Sequence, residues 1–352
     1  MLVKLKDIAT FINGRAYLMP ELQNAGKYRI VRVGNFSGKD EWFYSDMELD
    51  PEKYCEKGDL LYKWACNFGP EIWKEEKAIY HYHIWKVIPD ESKVNKFYLY
   101  YKLAFMTPYW LSSTNGSTMV HITKEIMENK TIELPNIDTQ NKIAKILTRL
   151  DTQIERNETI VKRLQVLALR AFDYYSTLDR ESNSVILKDI IVERDKSKIQ
   201  VNDVQESSGN FPFFTSGETI LYTDKQLTNG FNIYLSTGGN AKVQSYYGEA
   251  AYSTDTWCIT AKDNLQFYLY GYLKHIEAQM DKLYFHGTGL KHLQKPIFLK
   301  SKIYIPKCTS LEKYNKIVAQ FYRQISEIQK VNFRLQALKS KLLPLLINEQ
   351  IV

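Results

Sequence analysis

A chain of 352 residues with 44% hydrophobic and 25% charged residues is too long for one ordinary core and suits two or more globular domains, and a net charge of +7 permits an acidic partner without requiring one. Four cysteines (Cys55, Cys66, Cys258, Cys308) show no metal-ligand spacing and read as reduced thiols, and no apolar run approaches the roughly 18 residues of a membrane span. The first residues, MLVKLKDIATF, lack the apolar core of a secretion signal, so a cytoplasmic location is expected.

In chain order, residues 1–136 open with LKDIATF and carry short β-type runs (KYRIVRV, DLLYKW, HIWKVI) broken by Gly, Asn and Asp, then a longer aromatic run, KFYLYYKLAF. Residues 137–178 change character. Ile143, Leu147, Leu150, Ile154, Asn157, Val161, Leu164 and Ala168 step by fours and threes, which is a heptad seam, and Asp138 is the expected N-cap. Residues 179–307 return to β-type runs (NIYLSTG, TWCIT) and a second aromatic run, QFYLYGYLKH. Residues 308–352 are again helical, with Ile317, Phe321, Ile328, Leu335, Leu338 and Leu342 as the expected seam and Pro344 expected to end or kink the helix near Leu343.

The two halves are copies. Phe97 matches Phe267, Trp85 matches Trp257, His121 matches His292, and the opening LKDI recurs at residues 187–190, all in the same order with a slowly drifting offset. Duplicated halves tend to pack about a pseudo-two-fold axis. The expected fold is therefore α+β: two similar α/β domains separated by two long helices that form an antiparallel coiled coil.

The order of parts resembles the specificity subunit of type I restriction–modification systems. The junction IELPNIDTQNKIAKILTRLDTQIERN carries the resemblance: Leu134-Pro135, then Gln140 to Ile143, then Leu147, Asp151 and Ile154. KLKDIATFINGRA, KGDLLYKW, STGGNAKV and FHGTGLKHLQKPIFLKSKIYIP are similar to the family's domain opening, strand, turn and closing segment. The second junction, IPKCTSLEKYNKI, departs from the pattern, lacking the Gln. The resemblance implies two target-recognition domains (1–136 and 179–307), each reading half of a bipartite asymmetric double-stranded DNA site. It implies spacer helices (137–178 and 308–352) that set the gap and dock methyltransferase subunits, two of them, with restriction or translocase subunits able to join. It implies a non-catalytic chain without cofactor, the S-adenosylmethionine, ATP and Mg belonging to partners. The alternatives are the specificity subunit of a related defence system whose partner fuses methyltransferase and nuclease, and a duplicated coiled-coil scaffold that binds protein and reads no DNA.

Catalytic motifs are missing: STGGN has the glycines of a phosphate loop without its Lys-Ser/Thr, and Asp59 with Glu75-Glu76-Lys77 has no duplicate. His81 and His83 alternate as on a strand with no third ligand nearby, so no metal is expected. DNA contact needs donors on exposed loops. The candidates are Lys63, Trp64, Asn67, Asn115, Ser117, Thr118 and His121, with Arg15 and Lys39 for phosphates, in the first domain. In the second they are Ser236, Thr237, Asn240, Lys242, Thr288, Lys291 and His292.

Overall fold

The computed structural model describes residues 1–37, 41–112, 122–178, 183–204, 209–217 and 219–351. The chain divides into two compact units, Met1–Gln153 with Leu335–Val352, and Ile154–Arg334. Among the described residues no helix is long and apolar enough to cross a membrane.

The two units repeat one topology. In the first, an antiparallel sheet runs in the order Ala9–Asn13, Ile84–Pro89, Leu60–Lys63, Gly69–Ile72; in the second the order is Ile191–Glu193, Thr256–Ala261, Phe231–Ser236, Val243–Tyr247. Each has a second sheet containing one parallel pair, Tyr28–Val31 with Ala78–Tyr80 and Phe211–Phe214 with Ala251–Tyr252. Each is closed by a two-stranded ladder joining its ends, Leu2–Lys4 to Thr131–Glu133 and Asn183–Ile186 to Lys302–Ile305.

The two aromatic runs are helices, Lys96–Ser112 and Gln266–Leu283, laid on these sheets. The shared Tyr-Leu is the part that enters the core: Tyr98 and Leu99 are fully buried in one copy, Tyr268 and Leu269 in the other. The run then diverges for a packing reason. Tyr101 reaches the first long helix and donates from its hydroxyl to Asp151 Oδ2 at 2.6 Å. Its counterpart is Gly271, where a Cβ would stand 2.6 Å from Cδ2 of the Phe172 ring. Gly271→Ala should therefore destabilise the second unit by about 1–3 kcal/mol through overpacking, read as a lowered urea midpoint. Relief by the added mutation Phe172→Leu would locate the clash at that ring.

The long helices span Ile137–Leu178 and Cys308–Ile347. The first begins one residue before Asp138, because Asn136 provides the cap: its Oδ1 accepts the backbone N–H of Thr139 at 2.9 Å. Gln140, 1% exposed, ties that start to the sheet layer, accepting from Asn95 N at 2.8 Å and donating to Pro135 O at 2.9 Å and Lys93 O at 3.2 Å. In the second copy Tyr314 replaces it, fully buried and donating to Phe267 O at 3.1 Å. Pro344 lies inside the second helix, which runs on to Ile347. The expected stop there is corrected, and the last turn packs its Leu346 and Ile347 into the first unit's core beside Ile143 and Leu147.

Within each unit the helices run antiparallel. In the first, Lys339 Nζ meets Asp151 Oδ1 at 2.6 Å. In the second, Asn157 Nδ2 donates to Asn332 Oδ1 at 2.7 Å, and Asn332 Nδ2 donates to Ile154 O at 3.2 Å. On the first helix the seam residues Ile143, Leu147, Ile154 and Ala168 are buried, and Leu150, Val161 and Leu164 half-buried. On the second, Phe321, Ile328, Leu335 and Leu342 are half-buried, but Ile317 is 39% and Leu338 45% exposed. The heptad there runs through Val318, Ile325, Asn332, Lys339 and Leu346. Asn332 and Lys339 occupy seam positions because each finds a polar partner, and a seam drawn on apolar residues alone slips by one at Ile317 and Leu338. A buried Asn pair of this kind fixes the register of facing helices, since any slide leaves both amides unpaired.

Candidate nucleic-acid interface

The interior strands Leu60–Lys63 and Phe231–Ser236, whose ends carry candidate residues, are equivalent in the two units. Tyr62 faces Trp85, and Leu235 faces Trp257, so Lys63 and Trp64 hold the repeat positions of Ser236 and Thr237.

In the second unit two distant segments converge there. The turn after Ser236 and the hairpin Phe285–His286/His292–Leu293 join through a bridge between Gly238 and His292. Backbone bonds from Gly239 N to Lys291 O at 2.9 Å and from Leu293 N to Thr237 O at 3.0 Å complete the junction. The hairpin turns tightly at Gly287, where a Cβ would lie 2.4 Å from Leu290 O. Asn240, Thr288, Lys291 and His292 are exposed on the resulting surface, and Thr237 and Lys242 are half-buried at its base. Lys291 pairs with Asp281 at 2.9 Å, and that hydrogen bond, with the Ala241 N–H, holds the Asp281 carboxyl below its usual range. Lys242 donates to Gly217 O. Ser236 does not belong to an exposed loop: it ends a strand, is 2% exposed, and its hydroxyl closes the turn by donating to Asn240 O at 2.7 Å and accepting from Lys242 N at 2.9 Å.

In the first unit the candidates separate. Lys63 also ends a strand; it is 4% exposed, lies over the Phe36 ring and pairs with Glu71 at 2.7 Å. The neighbouring strand of its own hairpin turns it inward. Trp64 is half-buried, donating from Nε1 to Tyr82 O at 2.7 Å and stacking on Trp85. Arg15 makes a two-pronged bond to Glu21 at 2.6 and 2.8 Å, and this bond, with the Leu18 N–H, holds the Glu21 carboxyl down at about 2. Its charge is thus already matched by a carboxylate. Asn67 is exposed and donates to Ser37 Oγ at 3.0 Å. Lys39, Asn115, Ser117, Thr118 and His121 lie outside the described residues.

Asn67 opens onto a cleft of about 480 Å³ that the sequence reading missed, lined also by Arg32, Asn35, Cys66, His81 and His83. The guanidinium of Arg32 lies over the Phe43 ring, and Asn35 Oδ1 accepts from Arg32 N at 2.8 Å. Burial, then His83 and Arg32, pull the His81 pKa down to about 4, so that ring is neutral near pH 7, its Nδ1 accepting from His83 N at 3.4 Å and its other nitrogen carrying the donor. Arginine, asparagine and neutral histidine together supply the mixed donors and acceptors that base edges present in a groove. Nothing in the residue order links Arg32 to His81 and His83, which the parallel pairing of Val31 with Tyr80 brings together. Among the described residues no three His, Cys, Asp or Glu are grouped to hold a metal ion.

The family model for the type I restriction modification DNA specificity domain matches this chain twice, over residues 1–166 and 180–337. The chain belongs to this family. The specificity subunit of the type I restriction enzyme MjaVIII from Methanocaldococcus jannaschii is 32% identical over 111 residues, 32% of this chain and 25% of that one. The EcoBI specificity subunit of Escherichia coli is 26% identical over 212 residues, 56% of this chain and 43% of that one. The alignments thus span less than half the length of either relative. The crystal structure of a type I restriction–modification S subunit from M. genitalium has the same fold, with a TM-score of 0.64 over 98% of this chain and 95% of that one at 15% identity. The two family matches coincide with the repeated sheet topology. For this specificity-family chain the repeat positions Lys63/Trp64 and Ser236/Thr237 are therefore equivalent by fold and different in chemistry.

Proposed function

We propose that this chain is the DNA-reading subunit of a type I restriction–modification complex. Each α/β domain reads one half of a bipartite, asymmetric target, the long helices set the gap, and two methyltransferase subunits dock on the chain. The observation that carries this reading is the equivalence just described: one scaffold twice, with unlike side chains at the strand end where each copy presents its turn. Equal scaffolds place two readers in equal settings, and unlike side chains make them read unlike bases. The chemistry belongs to the partners, which bring S-adenosylmethionine, ATP and Mg, and a restriction subunit joins when cleavage follows. All of this takes place in the cytoplasm.

The test is to replace residues 1–136 with the first domain of another family member and map methylated genomic sites in cells carrying the cognate methyltransferase. One half of the target should change and the other persist. A change in both halves would defeat the two-reader account, and methyl transfer by the purified chain alone would defeat the non-catalytic one.

A further inference from the structure

Two short turns hold equivalent places in the two units, 182 residues apart, the same offset as the opening LKDI. Met19–Glu21 and Val201–Asp203 are both single turns of 3-10 helix. In each an acidic side chain accepts the backbone N–H three residues earlier, Glu21 from Leu18 at 2.8 Å and Asp203 from Gln200 at 2.9 Å. Each is rooted by apolar residues on both sides. Tyr17 and Leu22 pack against Ile30, Tyr54 and Ile79 in the first unit, and Ile199 and Val204 are buried with Phe213 in the second. The scaffolds match and the tips do not. In the second unit the tip is Gln200-Val201-Asn202. In the first it is Leu18-Met19-Pro20, with Leu18 70% and Met19 77% exposed.

A single exposed apolar residue needs no explanation. The first unit, however, adds structure that holds its apolar tip still. The two-pronged bond from Arg15 to Glu21 closes the loop that carries the tip, and Ser197 stands at the matching place in the second unit. Pro20 fixes φ at one position inside the turn. The tip also borders the cleft of the first unit. Arg15 bridges to His81, which lines that cleft, and the Tyr17 ring stacks on the His81 ring with centroids 6.3 Å apart. Two large apolar side chains are thus preset in water beside the surface proposed to read DNA, and presetting removes the ordering cost of a contact.

Resting on the function proposed above, we propose that Leu18 and Met19 form a wedge that enters a base-pair step at the edge of the first half-site and bends the DNA there. Neither side chain carries a hydrogen-bond donor, so the tip does not read base edges as the cleft does. Apolar wedges of this kind unstack a step from the minor groove and kink the duplex by roughly 20–90°. The ease of unstacking depends on the step, and pyrimidine–purine steps yield most readily, so the wedge selects sequence where no hydrogen bond is made. Continuity with the donors of the cleft favours DNA over a protein as the occupant. Arg15, its charge matched by Glu21, is a positioning residue for the wedge. The second unit, with Gln200 and Asn202 at its tip, reads its half-site without this bend.

The test uses the full chain with its co-expressed methyltransferase subunit and duplexes that carry the target found by mapping methylated genomic sites. Energy transfer between labels at the two duplex ends reads the bend. Wild type should bend the target. In Leu18→Gln/Met19→Gln the bend should be lost and affinity should fall about tenfold, within the range of one mismatched base pair. The methylated sites of that variant should relax at one step at the edge of the first half and nowhere in the second. Arg15→Met keeps the apolar tip and should lower affinity by a smaller factor, because the loop is held less firmly. Thermal unfolding of Leu18→Gln/Met19→Gln should match wild type, since both side chains are exposed. A straight wild-type complex, or an unaltered bend and affinity in the double variant, would overturn the wedge and leave the DNA-reading role intact. A double variant that keeps the bend but loses bound methyltransferase in native mass spectrometry would overturn it in favour of a protein contact. A wild-type complex with no sequence-selective DNA binding would overturn both.

Discussion

Inserting one heptad into each long helix should lengthen the unspecified gap of the DNA target by about three base pairs and leave both half-site sequences unchanged. Seven residues keep the seam in phase and add about 10 Å at about 1.5 Å per residue, which is close to three base pairs at about 3.4 Å each. The insertion points follow from the facing residues. Asp151 meets Lys339, and Asn157 meets Asn332, so an insertion after Gln153 is matched by one after Arg334. These points also fall where one compact unit gives way to the other, which spares both cores. Sequencing of methylated sites in cells carrying the variant and its methyltransferase reads the outcome. An active complex with an unaltered gap would show that the helices do not act as the ruler.

Removing Tyr314 should be the most damaging single change in the second unit. Its ring is fully buried, sits edge-on to Tyr175 at 5.9 Å and Tyr268 at 5.7 Å, and its hydroxyl donates to Phe267 O at 3.1 Å. Burial keeps that phenol protonated well beyond its ordinary range, so it remains a donor at any working pH. Tyr314→Ala should cost about 3–5 kcal/mol, as large aromatic truncations do, whereas Tyr314→Phe should cost only about 1 kcal/mol for the hydrogen bond. Urea unfolding separates the two. A small loss from the alanine variant would mean that the start of the second helix is not anchored there. Gln140 performs the equivalent anchoring in the first unit with three hydrogen bonds instead of a ring. The anchoring role thus has two chemical solutions, and the second helix, which begins at Cys308, carries Tyr314 three residues further from its start than Gln140 stands from Ile137.

Duplication, the two long helices and the first seam were legible in the residue order because each rests on periodicity, and period is set by local backbone geometry whatever the chain packs against. The short apolar runs became strands for the same reason. Polar residues behaved otherwise, since their placement depends on a partner that may lie far along the chain. Asn332 and Lys339 enter the helix seam because Asn157 and Asp151, more than 170 residues away, receive them. Lys63 and Arg15, read as free cations, are matched by Glu71 and Glu21, and Ser236 is spent on closing its own turn. The convergence of Thr237 and Asn240 with Lys291 and His292, and the cleft that joins Arg32 to His81, are products of sheet register. The sequence alone determined the repeated plan and the family to which it belongs. Tertiary structure decided which polar groups are left to face a partner, because a buried or paired charge is chosen by its three-dimensional neighbours and not by its spacing along the chain.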